Sequence, residues 1–274
     1  MLPGFWEHKK MYIALNHLLE QYPEVKREEA EIYCYYGNFS PCILDGGRVF
    51  VSYSPATLEK MEETVKYYND TLNTKLRLVL TNNLLEEKHC NDQYSNIMLK
   101  ICHNGKNEIV LNSTVLENYI LQNYPNYELI SSTTKCLKKD DAKTELNNNN
   151  YKFVCLDYNL NHNWEFLNSL TPEEKEKTEF LINPICGPAC PQRKEHYRLN
   201  SLFSLNYGAS YRMKSCEITP TSNCDMFNKA MISPDEIYNK YLKNDFKYFK
   251  LEGRTWTDAN LAISCVNYLI KPEY

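Results

Sequence analysis

Residues 107–124 read NEIVLNSTVLENYILQNY. NEIVLNS has the composition of a strand, and TVLENYILQNY that of a helix. The same unit recurs along the chain. LRLVLTN (76–82) and YELISST (127–133) are strands, KFVCLDY (152–158) is a strand followed by the helical WEFLNSL (164–170), and EFLINPI (179–185) is a strand. YFKLEGR (248–254) is a strand followed by the helical DANLAISCVNYL (258–269), and EIYCYYGNFSP (31–41) holds a further short strand that ends at Gly37 and Asn38. These runs are short, β-branched and nearly continuously apolar, as strands buried on both faces are. Strands alternating with helices build parallel βα units.

That makes seven strands, with RVFVSY (48–53) as the candidate eighth after a turn at Gly46–Gly47. The expected fold is a single (β/α)8 TIM-type barrel over residues 1–274, with an open doubly wound sheet as the alternative closure. A helix is expected over Phe5–Gln21 within an N-terminal lead-in of residues 1–30, and another from Ser54–Pro55 to Asn69, with Ser54 as N-cap. DDAKTELNNNN (140–150) reads as a solvated loop, and residues 200–231 as a cysteine-bearing insertion before the last strand.

Composition narrows the function. The chain has 274 residues, 43% of them hydrophobic, enough for one large core. Its net charge of -4 argues against broad nucleic-acid binding. No secretory leader opens the sequence, and no run approaches the roughly 20 apolar residues of a membrane span. Eleven cysteines, an odd number spread through strand-like segments, fit a reducing cytoplasm better than a disulfide framework. No membrane partner is expected. The substrate class stays open among small molecules, peptides and nucleic acid, as does the oligomeric state.

In a parallel barrel the residues just past the strands gather at one face. Here they form a polar rim: Tyr36, Asn38, Asn82, Asn83, Asn112, Ser113, Ser131, Ser132, Asp157, Asn159, Asn183, Glu252 and Arg254. Amides and hydroxyls of this kind suit a polar organic ligand, although each alone is equally a turn or cap residue. LINPICGPACPQRKEHY (181–197) then runs from a strand into Cys186, Cys190, Arg193 and His196. Together with Cys216 and Cys224 it gives C-x3-C-x25-C-x7-C, four thiols able to hold a [4Fe–4S] cluster or a zinc ion, or to serve only in packing. Cys186 or Cys190 with His196 as base would instead make a thiol peptidase.

In the closing strand, Phe249 and Leu251 alternate with Lys250, Glu252 and Arg254. The charged set shares a parity and should face one way, either as a structural salt-bridge ladder or with Arg254 clamping a carboxylate or phosphate.

YFKLEGR resembles the F-K-x-x-G-R segment that closes the barrel of the collagenase-like peptidase family, and ISPDEIYNKY (232–241) resembles the lead-in to it. INPICGPACPQRKEHY (182–197) resembles a variant branch reading N-x-x-C-x3-C-P-x-R-x-x-H, with C-x3-C-P where the family has glycine-rich spacing. LDYNLNHNWEFL and ISSTTK fit the two preceding strands, so the likeness spans Glu31 to Lys271. It implies a (β/α)8 barrel. Members carry a four-cysteine [4Fe–4S] cluster and take part in hydroxylation of RNA bases or a quinone precursor, and some were described as proteases. Carried to this chain, the resemblance implies Cys186 and Cys190 as cluster ligands, with Cys216 and Cys224 as the remaining pair. The expected activity is a redox or oxygen-transfer reaction, with Arg193, Arg254, Asn82 and Asp157 binding substrate and His196 or Glu252 moving a proton. A cysteine-dependent peptidase and a zinc-stabilised barrel that binds a peptide or protein partner are the alternatives.

Overall fold

In a computed structural model that describes residues 1–50, 52–208 and 229–274, eight parallel strands stand side by side in chain order. They are β1 (Leu2–Pro3), β2 (Cys34–Gly37), β3 (Lys75–Leu80), β4 (Glu108–Leu111), β5 (Glu128–Ser131), β6 (Tyr151–Cys155), β7 (Thr178–Leu181) and β8 (Tyr248–Lys250). The ring closes through Met1: its nitrogen donates to Phe249 O at 2.8 Å, and Leu251 N donates to Met1 O at 3.1 Å. The Tyr36 hydroxyl crosses the same seam to Leu251 O. The fold is the (β/α)8 barrel that the recurring unit predicts.

Strand parity sorts the side chains into two layers. Leu76, Leu78 and Leu80 of β3, Ile109 and Leu111 of β4, and Leu251 pack outward against the helices. Tyr36, Val79, Val110, Ile130 and Phe153 fill the interior. The helical layer is α1 (Lys9–Gln21), α2 (Leu58–Lys66), α3 (Gln93–Cys102), α4 (Thr114–Asn123), α5 (Lys139–Leu146), α6 (Trp164–Asn168), α7 (Pro172–Glu176), α8 (Arg193–Leu205) and α9 (Asp258–Leu269). An irregular helical stretch, Pro234–Glu236 continuing through Ile237–Tyr241 and Leu242–Asn244, precedes β8. No helix among the described residues is long and apolar enough to cross a membrane.

Four expectations change. The eighth strand is Leu2–Pro3, and the described residues of 48–53 form no strand. Two residues are too few to show a period, whereas RVFVSY imitates one. The helix expected from Ser54 begins at Leu58, with Thr57 accepting from Lys60 N, because Ala56 N is tied to the Tyr94 hydroxyl at 3.0 Å. The Asn-rich loop starts as α5, whose two apolar residues Ala142 and Leu146 are both buried one turn apart. Asn200–Leu205 extends α8 rather than opening an insertion.

The amino end of the barrel is plugged by charge. Arg77, fully buried, donates through Nε to Glu108 Oε2 at 2.8 Å and pairs with Glu179 through Nη1. The Tyr33 hydroxyl donates to Glu108 Oε1 at 2.6 Å, and Lys75 Nζ lies 3.1 Å from that oxygen. Burial pushes the Glu108 carboxyl up, but Arg77, the Tyr33 hydroxyl, Lys75 and Lys152 outweigh it and bring the pKa from 4.5 down to about 2. A carboxyl depressed in the folded state stabilises it above its unfolded pKa and loses that contribution as pH falls through the folded value. Stability should therefore drop by about 3 kcal/mol between roughly pH 4.5 and pH 2 on this group's account. Urea titrations across that range measure it. The Glu108→Gln variant, weaker at neutral pH, should lose less over the same window; an equal loss would assign the acid sensitivity elsewhere.

Candidate functional site

The opposite, carboxyl mouth carries the predicted rim. Its floor is the inward face of β8 and the residues after it. Lys250, Glu252 and Arg254 are 6%, 6% and 8% exposed and share the inward side, as their parity requires. They do not form a ladder with one another. Lys250 Nζ stands 3.7 Å from Glu179 Oε1, Glu252 Oε1 pairs with Arg48 Nη2, and Arg254 Nη1 lies 2.7 Å from Asp45 Oδ2.

Two of these partners come from the Asp45-Gly46-Gly47-Arg48 turn between β2 and α2. The turn presses against the end of β3 and against α8. A Cβ on Gly46 would meet Ser201 Oγ at 2.4 Å, Asn82 Cα at 2.6 Å and Thr81 O at 2.8 Å, so only glycine lets the chain pass there. That close approach carries Arg48 over the mouth to Glu252. Glu252 is fixed further: Oε2 accepts from Ile185 N at 2.8 Å, and its backbone exchanges two hydrogen bonds with the Asn183 amide.

Arg254 is steadied from behind. His8 Nε2 meets Arg254 O at 3.1 Å, and His8 Nδ1 meets Asp258 Oδ1 at 2.6 Å. Glu7 lies in the same charged neighbourhood, its carboxyl held above the usual range by burial, with Arg254 opposing the rise. Burial also raises the Tyr36 hydroxyl well above its ordinary pKa, against the pull of Arg254 and Arg48.

The result is an open cavity lined among others by Tyr36, Arg48, Thr81, Tyr197, Lys250 and Arg254. Thr81 is buried and its Oγ1 has no hydrogen-bond partner among the described residues. A separate cleft lies on the β8–β1 seam, between Leu2, Leu251, Tyr238 and Leu269. The mouth is the place with convergent polar chemistry.

The other predicted residues divide. Asn82 is fully buried and braces the turn: Nδ2 donates to Ile43 O at 2.7 Å and Ser201 O at 3.1 Å, while Oδ1 accepts from Leu84 N. Asp157 and Arg193 meet each other at 2.6 Å. Arg193 also donates to the Tyr197 hydroxyl and Thr133, and its guanidinium lies 3.8 Å from the Tyr158 ring centre. These contacts anchor the start of α8 on the barrel, so their polar capacity is largely used within the chain. His196 sits half-buried on the flank of α8, one turn beyond Arg193.

Cys186, on the loop after β7, packs with Cys155, Tyr158, Leu181 and Ala230. Cys190 lines an outer groove with Cys136, Lys138, Asp157 and Lys194. Cys216 and Cys224 lie outside the described residues. Among the described residues no three His, Cys, Asp or Glu side chains gather as a metal set.

The sequence reading missed Asp45, Arg48, Thr81, Tyr197 and Cys136. A Gly-Gly pair flanked by opposite charges was the available signal for the first two. Cys136, left-handed at φ 51°, follows β5 as the rim residues follow their strands.

Fold and site together define a parallel (β/α)8 barrel with a charged, hydroxyl-bearing carboxyl mouth. The solved structure of the U32 peptidase Mk0906 is similar to it, with a TM-score of 0.51 over 86% of this chain and 89% of that one. The two sequences are 12% identical, so the likeness is one of fold. No protein-family description and no curated protein matches the chain.

Proposed function

We propose that the chain is an enzyme whose substrate, a small polar molecule with an anionic group, binds in the carboxyl mouth. The observation that carries this reading is the cavity itself: three cations, Arg48, Lys250 and Arg254, line it beside the Thr81 hydroxyl, which has no hydrogen-bond partner among the described residues. Arg254 pairs with Asp45 through Nη1 and lines the cavity with the rest of its side chain. A guanidinium presents its donors in a fork suited to a carboxylate or phosphate. Glu252, on the same inward face, is placed to move a proton, and Tyr36 and Tyr197 line the cavity with it.

The reaction we assign is redox or oxygen transfer of the hydroxylase type, with Cys186, Cys190, Cys216 and Cys224 holding a [4Fe–4S] cluster. The described residues supply two of those thiols. Cys186 packs against the cluster that contains Ala230, and Cys224 precedes Ala230 by six positions in the sequence. A bound cluster supplies single-electron transfer. This donor set is incomplete among the described residues, so the roles given to Arg48, Arg254 and Glu252 do not depend on it.

Anaerobic purification with iron, acid-labile sulfide and zinc analysis is the test. Iron and sulfide in equal amounts, falling severalfold in Cys190→Ser, are expected. Zinc without sulfide would replace this reading with a zinc-stabilised binding barrel. A metal-free chain that cleaves peptides and is inactivated by a thiol reagent would replace it with a cysteine peptidase; the similar structure is named a peptidase.

A further inference from the structure

Lys250 ends β8 on the inward side, nearly buried, and lines the mouth cavity. Its Nζ makes an ion pair and a ring contact. Glu179 Oε1 is 3.7 Å away, beyond hydrogen-bond distance, and the Tyr36 ring centre is 4.2 Å away. Arg77 holds the other oxygen of Glu179, and Oε1 has no hydrogen-bond partner among the described residues, so the amine is tied there by charge alone. A buried ammonium with so little pairing is a poor structural element, because methionine would fill the same space at less cost. An amine on a rigid strand, in a cavity it shares with Arg48 and Arg254, is instead the setting in which lysine acts as a nucleophile toward carbonyl carbon.

We propose that Lys250 forms an imine with a small 2-oxo acid whose carboxylate is held by Arg254 and Arg48. This rests on the mouth being the ligand site, and not on the cluster. The Glu179 carboxylate, whose Oε1 lies 3.7 Å from Nζ, takes a proton from the ammonium. The freed Nζ lone pair makes the C–N bond while the carbonyl π pair moves to oxygen. A proton passes from nitrogen to that oxygen, giving the carbinolamine. Glu179 returns its proton to the hydroxyl, the C–O bond breaks, water leaves, and the nitrogen lone pair completes C=N. One ammonium and one carbonyl become one iminium and one water, with no oxidant or reductant. The β8 strand sets the order of the groups: Arg254 outermost for the carboxylate, Glu252 between, Lys250 deepest for the carbonyl. Thr81 Oγ1, buried and without a partner among the described residues, offers a hydrogen bond to the carbinolamine oxygen.

The full chain is incubated with pyruvate and reduced with sodium borohydride, and the adduct is located by peptide mapping. Calorimetry with L-lactate, which has the carboxylate but no carbonyl, runs in parallel. A reduced adduct on Lys250, blocked by excess lactate and absent from a folded Lys250→Arg variant, is expected. Lactate binding with no adduct on Lys250 would overturn the imine and leave the mouth reading standing. Neither binding nor adduct would overturn both. Adducts confined to exposed lysines would also overturn the imine. Mapping on the parent chain decides the matter even if the variant fails to fold.

Discussion

Arg77→Met should cost about 3–5 kcal/mol of folding stability, a large share of the roughly 5–15 kcal/mol that holds a typical domain. The guanidinium is fully buried between Glu108 and Glu179, both also fully buried. Removing it leaves two carboxylates in an interior that cannot solvate them. Lys75 and Lys152 reach Glu108 from the rim, and Lys250 reaches Glu179 only at 3.7 Å, so neither acid regains an equal partner. The carboxyls would then be driven to protonate, and the variant should recover part of its loss as pH falls, opposite to the parent's behaviour. Replacing all three residues together, Arg77→Met with Glu108→Leu and Glu179→Leu, should restore most of the stability, since apolar side chains of similar volume pack without the desolvation penalty. Urea denaturation of the single and triple variants measures both. A single-variant loss below about 1 kcal/mol, the value of an exposed pair, would mean the barrel floor is wetter than its burial indicates.

Why the sequence revealed the barrel but not its partners follows from the range of each signal. Strand runs such as LRLVLTN and NEIVLNS carry their own period, because every other residue must meet the helices and the rest the interior. The closing strand is the clearest case. Its alternation separates Leu251, which packs outward, from Lys250, Glu252 and Arg254, which face in. What those three charges touch is not local. Arg48 and Asp45 lie some two hundred positions earlier, and only the Gly46 crossing beneath Ser201 and Asn82 delivers them. The same nonlocality explains the rim. Asn82 and Arg193 occupy the barrel's carboxyl end as expected, yet their neighbours turn them toward the Ile43 and Ser201 carbonyls and toward Asp157. Short elements fail for a different reason. β1 has two residues and α5 two buried apolar positions, so neither has length enough to display a period.

Arg254→Met should abolish binding of an anionic probe such as L-lactate and also destabilise the fold by about 3–5 kcal/mol, and the two effects can be separated. The structural part comes from Asp45, which is 3% exposed, and from Glu7 beside it. Burial already raises the Glu7 carboxyl, and Arg254 is the first of the groups that oppose it. Without that cation the Glu7 carboxyl would rise further above its unfolded pKa. Such a group stabilises the fold at low pH and loses the contribution as pH rises, so the variant's deficit should be larger at pH 8 than near pH 4. Adding Asp45→Asn removes one of the orphaned charges, so the double variant should be more stable than Arg254→Met alone. It still lacks the guanidinium, so it should remain unable to bind lactate. A double variant that folds and binds lactate as the parent does would make Arg254 a structural counter-ion to Asp45 and nothing more. Weakened binding that returns with Arg254→Lys would point to charge alone. Binding restored by neither substitution requires the fork itself, with Nη1 on Asp45 and the remaining donors on the ligand.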